Sequence, residues 1–217
     1  FKFHGDRRLS EEHISTIADW VESGMPEGDH DKLPSLPNFI DGWQLGKPDM
    51  VVKMSEPFPV PDEGRDIYRS FVIPLDLPEG KWLKAIEFRP DARSVVHHCL
   101  FFYDTTGEAR RLDKSDPHPG FRRMRQQGRG IGPLGGWAVG GQPEKLPEDL
   151  AYYLPKGADL VLSMHYHPSG KPERDQSSVG LYFTDQKPST SFTGVQLPPA
   201  FGAVSYTHLR AHETGCY

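Results

Sequence analysis

Two textures of apolar and polar positions divide the chain. Between residues 9 and 24, Ile14, Ile17, Ala18 and Val21 fall at helical spacing and make one apolar stripe. Ser10 stands where an N-cap is needed, with Glu11 and Glu12 in the first turn, where the helix dipole favours anions. Leu9 and Ile14 have the spacing of a hydrophobic staple. Gly24 can end this helix, and Pro26 prevents its return. A lone helix of this kind needs a partner surface for its stripe. From residue 49 the pattern changes to short runs rich in Val, Ile, Phe and Tyr and bounded by Pro, Gly and Asp. The runs are 50–54, 67–73, 82–89, 94–103, 160–167 and 179–184. The interval 105–157 reads mostly as turns. The predicted fold is mainly β: an antiparallel, jelly-roll-like β-sandwich with one N-terminal α-helix.

Residues 25–48, with Pro26, Pro34, Pro37 and Pro48, separate the two textures and read as linker. Composition agrees with many short strands and turns, since 21 prolines and 22 glycines occur in 217 residues. The formal net charge of −5 makes no global case for a nucleic-acid or membrane-surface partner. No apolar run approaches the roughly 20 residues of a bilayer-spanning helix. A local basic cluster, Arg110, Arg111, Arg122, Arg123, Arg125 and Arg129, reads as a solvated loop. Two cysteines, Cys99 and Cys216, are too few for a disulfide framework. The chain opens on Phe1, which predicts a cut chain with any signal peptide outside it.

The concentrated chemistry is four histidines on two predicted strands. His165 and His167 are two apart, so their side chains share a face and can chelate one ion with little backbone distortion. His97 and His98 are adjacent, and an ideal strand sends them to opposite faces. For both to reach one ion the strand must twist, bulge or end there; otherwise only one ligates. Val95, Val96, Leu100, Phe101 and Phe102 surround the pair with apolar groups, which favour neutral, metal-ligating imidazole. All-imidazole ligation suits copper, zinc, iron or nickel. His208 and His212 have i,i+4 spacing, but they lie in a segment, 204–217, that resembles a translated sequencing-adapter peptide. Such a segment is no part of an evolved fold.

The runs SVVHHCLFFYD, GGWAVGGQPEKLPEDLAYYLPKGADLVLSMHYHPSGKPE and SSVGLYF, in that order, resemble the amino-terminal domain of the copper type II, ascorbate-dependent monooxygenases. This is the family of peptidylglycine α-hydroxylating monooxygenase and dopamine β-monooxygenase. The run GDRRLSEEHISTIADWVESGMPEGD looks like the last helix of a bacterial c-type cytochrome domain, whose haem c would lie upstream, since no C-x-x-C-H motif is present. The resemblance implies a cytochrome-like end at 1–31, a linker at 32–48 and a copper-binding sandwich at 49–190. It further implies the start of a second copper domain at 191–203, ahead of the non-native 204–217. It assigns His97 and His98 the paired-histidine role and His165 the third place at an electron-transfer copper, with His167 the weaker candidate. The oxygen-activating copper belongs to the second domain, so the fragment itself is expected to be inactive and its parent to be an extracytoplasmic, periplasmic or secreted, monooxygenase. The parent would take a small-molecule or peptide substrate and an external reductant. Two competing readings use the same residues: a non-catalytic copper or haem-linked electron-transfer module, and a jelly-roll binding module with structural histidines.

Overall fold

The computed structural model describes residues 8–36, 40–122 and 129–192. Arg123, Arg125, Cys216, His208, His212 and all but the first two residues of the expected second-domain start at 191–203 lie outside them. The chain divides into two units between Ile40 and Asp41. In the first, α1 spans Glu11–Glu22, and Ser10 caps it by accepting the His13 N–H at 3.2 Å. The helix ends at Ser23, and Gly24 follows at φ 86°, a left-handed conformation that glycine adopts without strain. The Trp20 indole N–H turns back to the Pro26 carbonyl at 3.0 Å. No residue of α1 is buried, so the stripe Ile14, Ile17, Val21 remains open.

The second unit is an antiparallel β-sandwich. Its strands are β1 Met50–Lys53, β2 Phe58–Val60, β3 Ile67–Pro74, β4 Lys81–Arg89, β5 Val96–Asp104, β6 Ile131–Ala138, β7 Tyr152–Leu154, β8 Asp159–Tyr166, β9 Glu173–Asp175 and β10 Ser178–Thr184. One sheet has the order β1-β10-β4-β7, the other β3-β8-β5-β6, and β2-β9 form a ribbon. Leu83, Phe88, Val179 and Leu181 of the first sheet and Phe71, Phe101, Leu162, Met164 and Tyr166 of the second share one buried core. Burial of these apolar faces drives the association of the sheets.

The expectation that 105–157 is mostly turns is corrected. It holds α2, Glu108–Ser115, together with β6 and β7. The helix buries only Ala109, and its remaining residues are largely charged, so its apolar period is faint. It is fixed instead by polar contacts. The Asp104 carboxylate accepts the Thr106 and Ala109 N–H groups at 2.7 and 2.8 Å, and Arg110 makes two 2.6 Å bonds to the buried Asp159 carboxylate. The glycine-rich composition of β6 reads as turn, yet it forms an edge strand on β5.

The end of the expected linker, 41–48, packs on the outer face of the first sheet. The buried Glu87 carboxylate accepts the Gln44 and Leu45 N–H groups at 2.8 and 3.1 Å. Trp43 lies so close to Gly180 that any Cβ there would meet its ring at 2.9 Å. On the outer face of the second sheet, Phe102, Val161 and Val72 of the sheet pack with Ala109 and Leu112 of α2 and with Phe121. Buried Arg69 anchors this packing through Asp116 at 2.5 Å and the carbonyls of His118, Pro119 and Gly120. His98 and His165 lie farther along the same face, beyond the paired Leu100 and Ser163.

Candidate metal centre

β8 lies between β3 and β5, so His165 sits on a strand hydrogen-bonded along both sides. Val96 pairs with Tyr166 while His98 pairs with His165, so two steps on β5 match one on β8, and His97 is the extra residue of a bulge. The bulge turns both adjacent imidazoles toward the same place. Its backbone is supported from both sides: Val139 N–H donates to the His97 carbonyl at 3.3 Å, and His167 N–H to the Val95 carbonyl at 2.8 Å.

The three Nδ1 atoms converge. His97 Nδ1 is 3.1 Å from His98 Nδ1, which is 3.2 Å from His165 Nδ1. Donor atoms of the three rings all lie within 4.8 Å of one another. Two nitrogens 3.1–3.2 Å apart, each about 2.0 Å from one ion, subtend roughly 100–106° at it. His97 is exposed, His98 half-buried and His165 buried, so the cluster has one wall in the sheet and one open side. An imidazole-only donor set of this spacing fits a divalent or monovalent transition metal.

The electrostatics favour a neutral His98 ring. Burial first, then the neighbouring His165 and His97, hold the His98 imidazole below its ordinary pKa. His167 does not join the cluster. Its Nδ1 is 2.7 Å from Asp66 Oδ1, while Asp66 Oδ2 is 2.8 Å from His165 Nε2. These bonds, that of His167 being the stronger influence, hold the Asp66 carboxyl below its ordinary pKa, so it stays ionised. Tyr68 covers the other side of His165, the rings stacking with centroids 4.2 Å apart and planes 15° apart.

Asp66 and Tyr68 escaped the reading of the sequence. They stand about a hundred residues from His165, and only the β3–β8 register, with Tyr68 opposite His165 and Ile67 opposite Tyr166, brings them to the site. An acidic residue one place before a strand is too common to signal this. Elsewhere, a cavity of about 270 Å³ opens between the sheets, walled by Phe88, Phe101, Leu134, Trp137 and Tyr152. Among the described residues, the ligating groups gather at the histidines and not in that cavity.

Comparison with protein-family models, curated proteins and solved structures gives no match.

Proposed function

We propose that this chain carries the electron-transfer copper site of a copper-dependent monooxygenase. The observation that supports it is the convergence of three imidazole Nδ1 atoms, two of them from adjacent residues brought together by a bulge at His97. The order of the His-His strand, the Gly-Trp-Ala segment and the Val-Leu-x-x-His-Tyr strand adds the resemblance to that family. Copper held there would supply one-electron chemistry by cycling between Cu(I) and Cu(II).

In this reading His97, His98 and His165 hold the ion, and the hydrogen-bonded sheet limits their rearrangement as its charge changes. The open side at His97 admits an electron donor or acceptor. The parent enzyme inserts one oxygen atom of O2 into a C–H bond and reduces the other to water, with two electrons and two protons from a reductant. A second copper domain performs that insertion, and the protein works outside the cytoplasm.

Titration of metal-free protein with Cu(II), followed by electron paramagnetic resonance and by reduction with ascorbate, tests the proposal. One equivalent should bind saturably, give an all-nitrogen spectrum, and lose and regain it on reduction and reoxidation. His165→Ala should abolish the signal. Absence of saturable uptake at one equivalent overturns the proposal in favour of a sandwich with structural histidines. A second His-x-His followed by a methionine in the complete reading frame separates an oxygenase from an electron-transfer module alone.

A further inference from the structure

We infer that Asp66 is a positioning residue that sets the tautomer of His165 and so decides which of its nitrogens faces the metal. The inference rests on the three-histidine copper reading. Ile67 pairs with Tyr166, so Asp66 stands across from His167 at the strand end, on the face shared by His165, His167 and Tyr68. Its two carboxylate oxygens meet two imidazoles, His165 Nε2 at 2.8 Å and His167 Nδ1 at 2.7 Å.

An ionised carboxylate only accepts hydrogen bonds, so both nitrogens facing it carry hydrogen. A neutral imidazole has one N–H. As a neutral metal ligand, His165 is therefore the Nε2–H tautomer, with its bare Nδ1 toward His98 at 3.2 Å. The same argument excludes His167 Nδ1 as a metal donor, because its hydrogen is committed to Asp66. His167 instead holds the carboxylate in place from the solvent side, where its own side chain is 70% exposed. The i,i+2 pair thus divides into one ligand and one support, with Asp66 between them. An anionic acceptor on the distal nitrogen also strengthens the proximal one as a donor and favours the more highly charged metal state.

The test compares Asp66→Ala, Asp66→Asn and His167→Ala with the parent chain. The first readout is imidazole nitrogen resonance of metal-free protein at a pH where the rings are neutral. His165 should appear as the Nε2–H tautomer in the parent. It should also do so in Asp66→Asn, whose side-chain oxygen can still accept, but should become a mixture in Asp66→Ala. The second readout is copper. Asp66→Ala should weaken Cu(II) binding by about ten- to a hundred-fold while still taking up one equivalent. It should also raise the reduction potential by about 59 mV for each tenfold loss confined to Cu(II). His167→Ala should lose less than Asp66→Ala on both measures. Asp66 lies at a strand end and is 40% exposed, so these variants should fold, and thermal unfolding checks that they do. Unchanged His165 tautomer in Asp66→Ala overturns the assignment whatever the affinity does. Failure of the parent to bind copper would sink the copper reading instead, and the nitrogen resonances would still judge Asp66.

Discussion

The Asp175 carboxylate is completely buried and gathers the supports of the metal-bearing strands, so its removal should be felt both in stability and at the site. It accepts from Tyr166 Oη at 2.9 Å, Ser177 Oγ at 2.9 and 3.0 Å, Ala92 N–H at 3.0 Å and Asp91 N–H at 3.1 Å. Tyr166 lies between His165 and His167 and points to the opposite face. Ala92 begins the turn whose carbonyl accepts from Val95 and Val96 just before His97. Asp175→Ala leaves three buried donors without an acceptor, those of Tyr166, Ser177 and Ala92, since the Asp91 N–H can turn to water. An unmet buried donor costs about 1–3 kcal/mol. Three such donors sum to about 3–9 kcal/mol, and with partial relaxation the loss should be about 3 kcal/mol, a large share of the 5–15 kcal/mol that holds a typical domain. For a chain of this size that is a fall in Tm of about 6–12 °C. Tyr166→Phe removes only one donor and should cost about 1–2 kcal/mol. Urea and thermal unfolding with tyrosine and tryptophan fluorescence measure both, and the double variant gives the coupling. The buried phenol adds a pH test. Burial, then the charge of Asp175, raise its pKa well above the ordinary ~10. Its contribution should be full below about pH 10 and decline as pH rises beyond it, where the unfolded chain ionises first. A loss below about 1 kcal/mol for Asp175→Ala would refute the account of this carboxylate as the common anchor.

Three further outcomes follow from other parts of the molecule. Acidification should release copper and destabilise the apo site, because the folded state holds His98 below its ordinary pKa. That contribution is complete above about pH 6.5 and is lost as pH falls toward the depressed folded value; metal analysis after dialysis checks it, and copper retained near pH 3 counts against imidazole ligation. Cys99 should resist thiol reagents in native Cys216→Ser protein and react only on unfolding, since it is fully buried and burial pushes its thiol pKa well up; prompt native labelling would contradict its placement. Gly120→Ala should cost more than about 2 kcal/mol, because its φ is 72° and a Cβ would strike the Ser70 carbonyl that pairs with Phe121; an unchanged urea midpoint would show that this turn is not held as described.

The sequence by itself determined the elements whose signals are local. Ser10 with two acidic residues marked the start of α1, and short runs rich in Val, Ile, Phe and Tyr between Pro, Gly and Asp placed the core strands, because capping and local composition are properties of a few neighbouring residues. The adjacent histidines also carried a usable message, since a strand can bring both to one ion only by a distortion, and the bulge at His97 is that distortion. Tertiary structure alone decided the rest. The short helix α2 owes its place to Asp104 and to the distant Asp159, and the glycine-rich β6 is a strand because β5 offers it an edge. His165 and His167 look equivalent in the sequence, two apart on one face. The pairing of β3 with β8 separates them: it delivers Asp66 to both rings, turning His167 outward and leaving His165 Nδ1 free to meet the pair on β5. Register is a long-range property, set by burying both sheets' apolar faces at once, and no local pattern near the histidines records it.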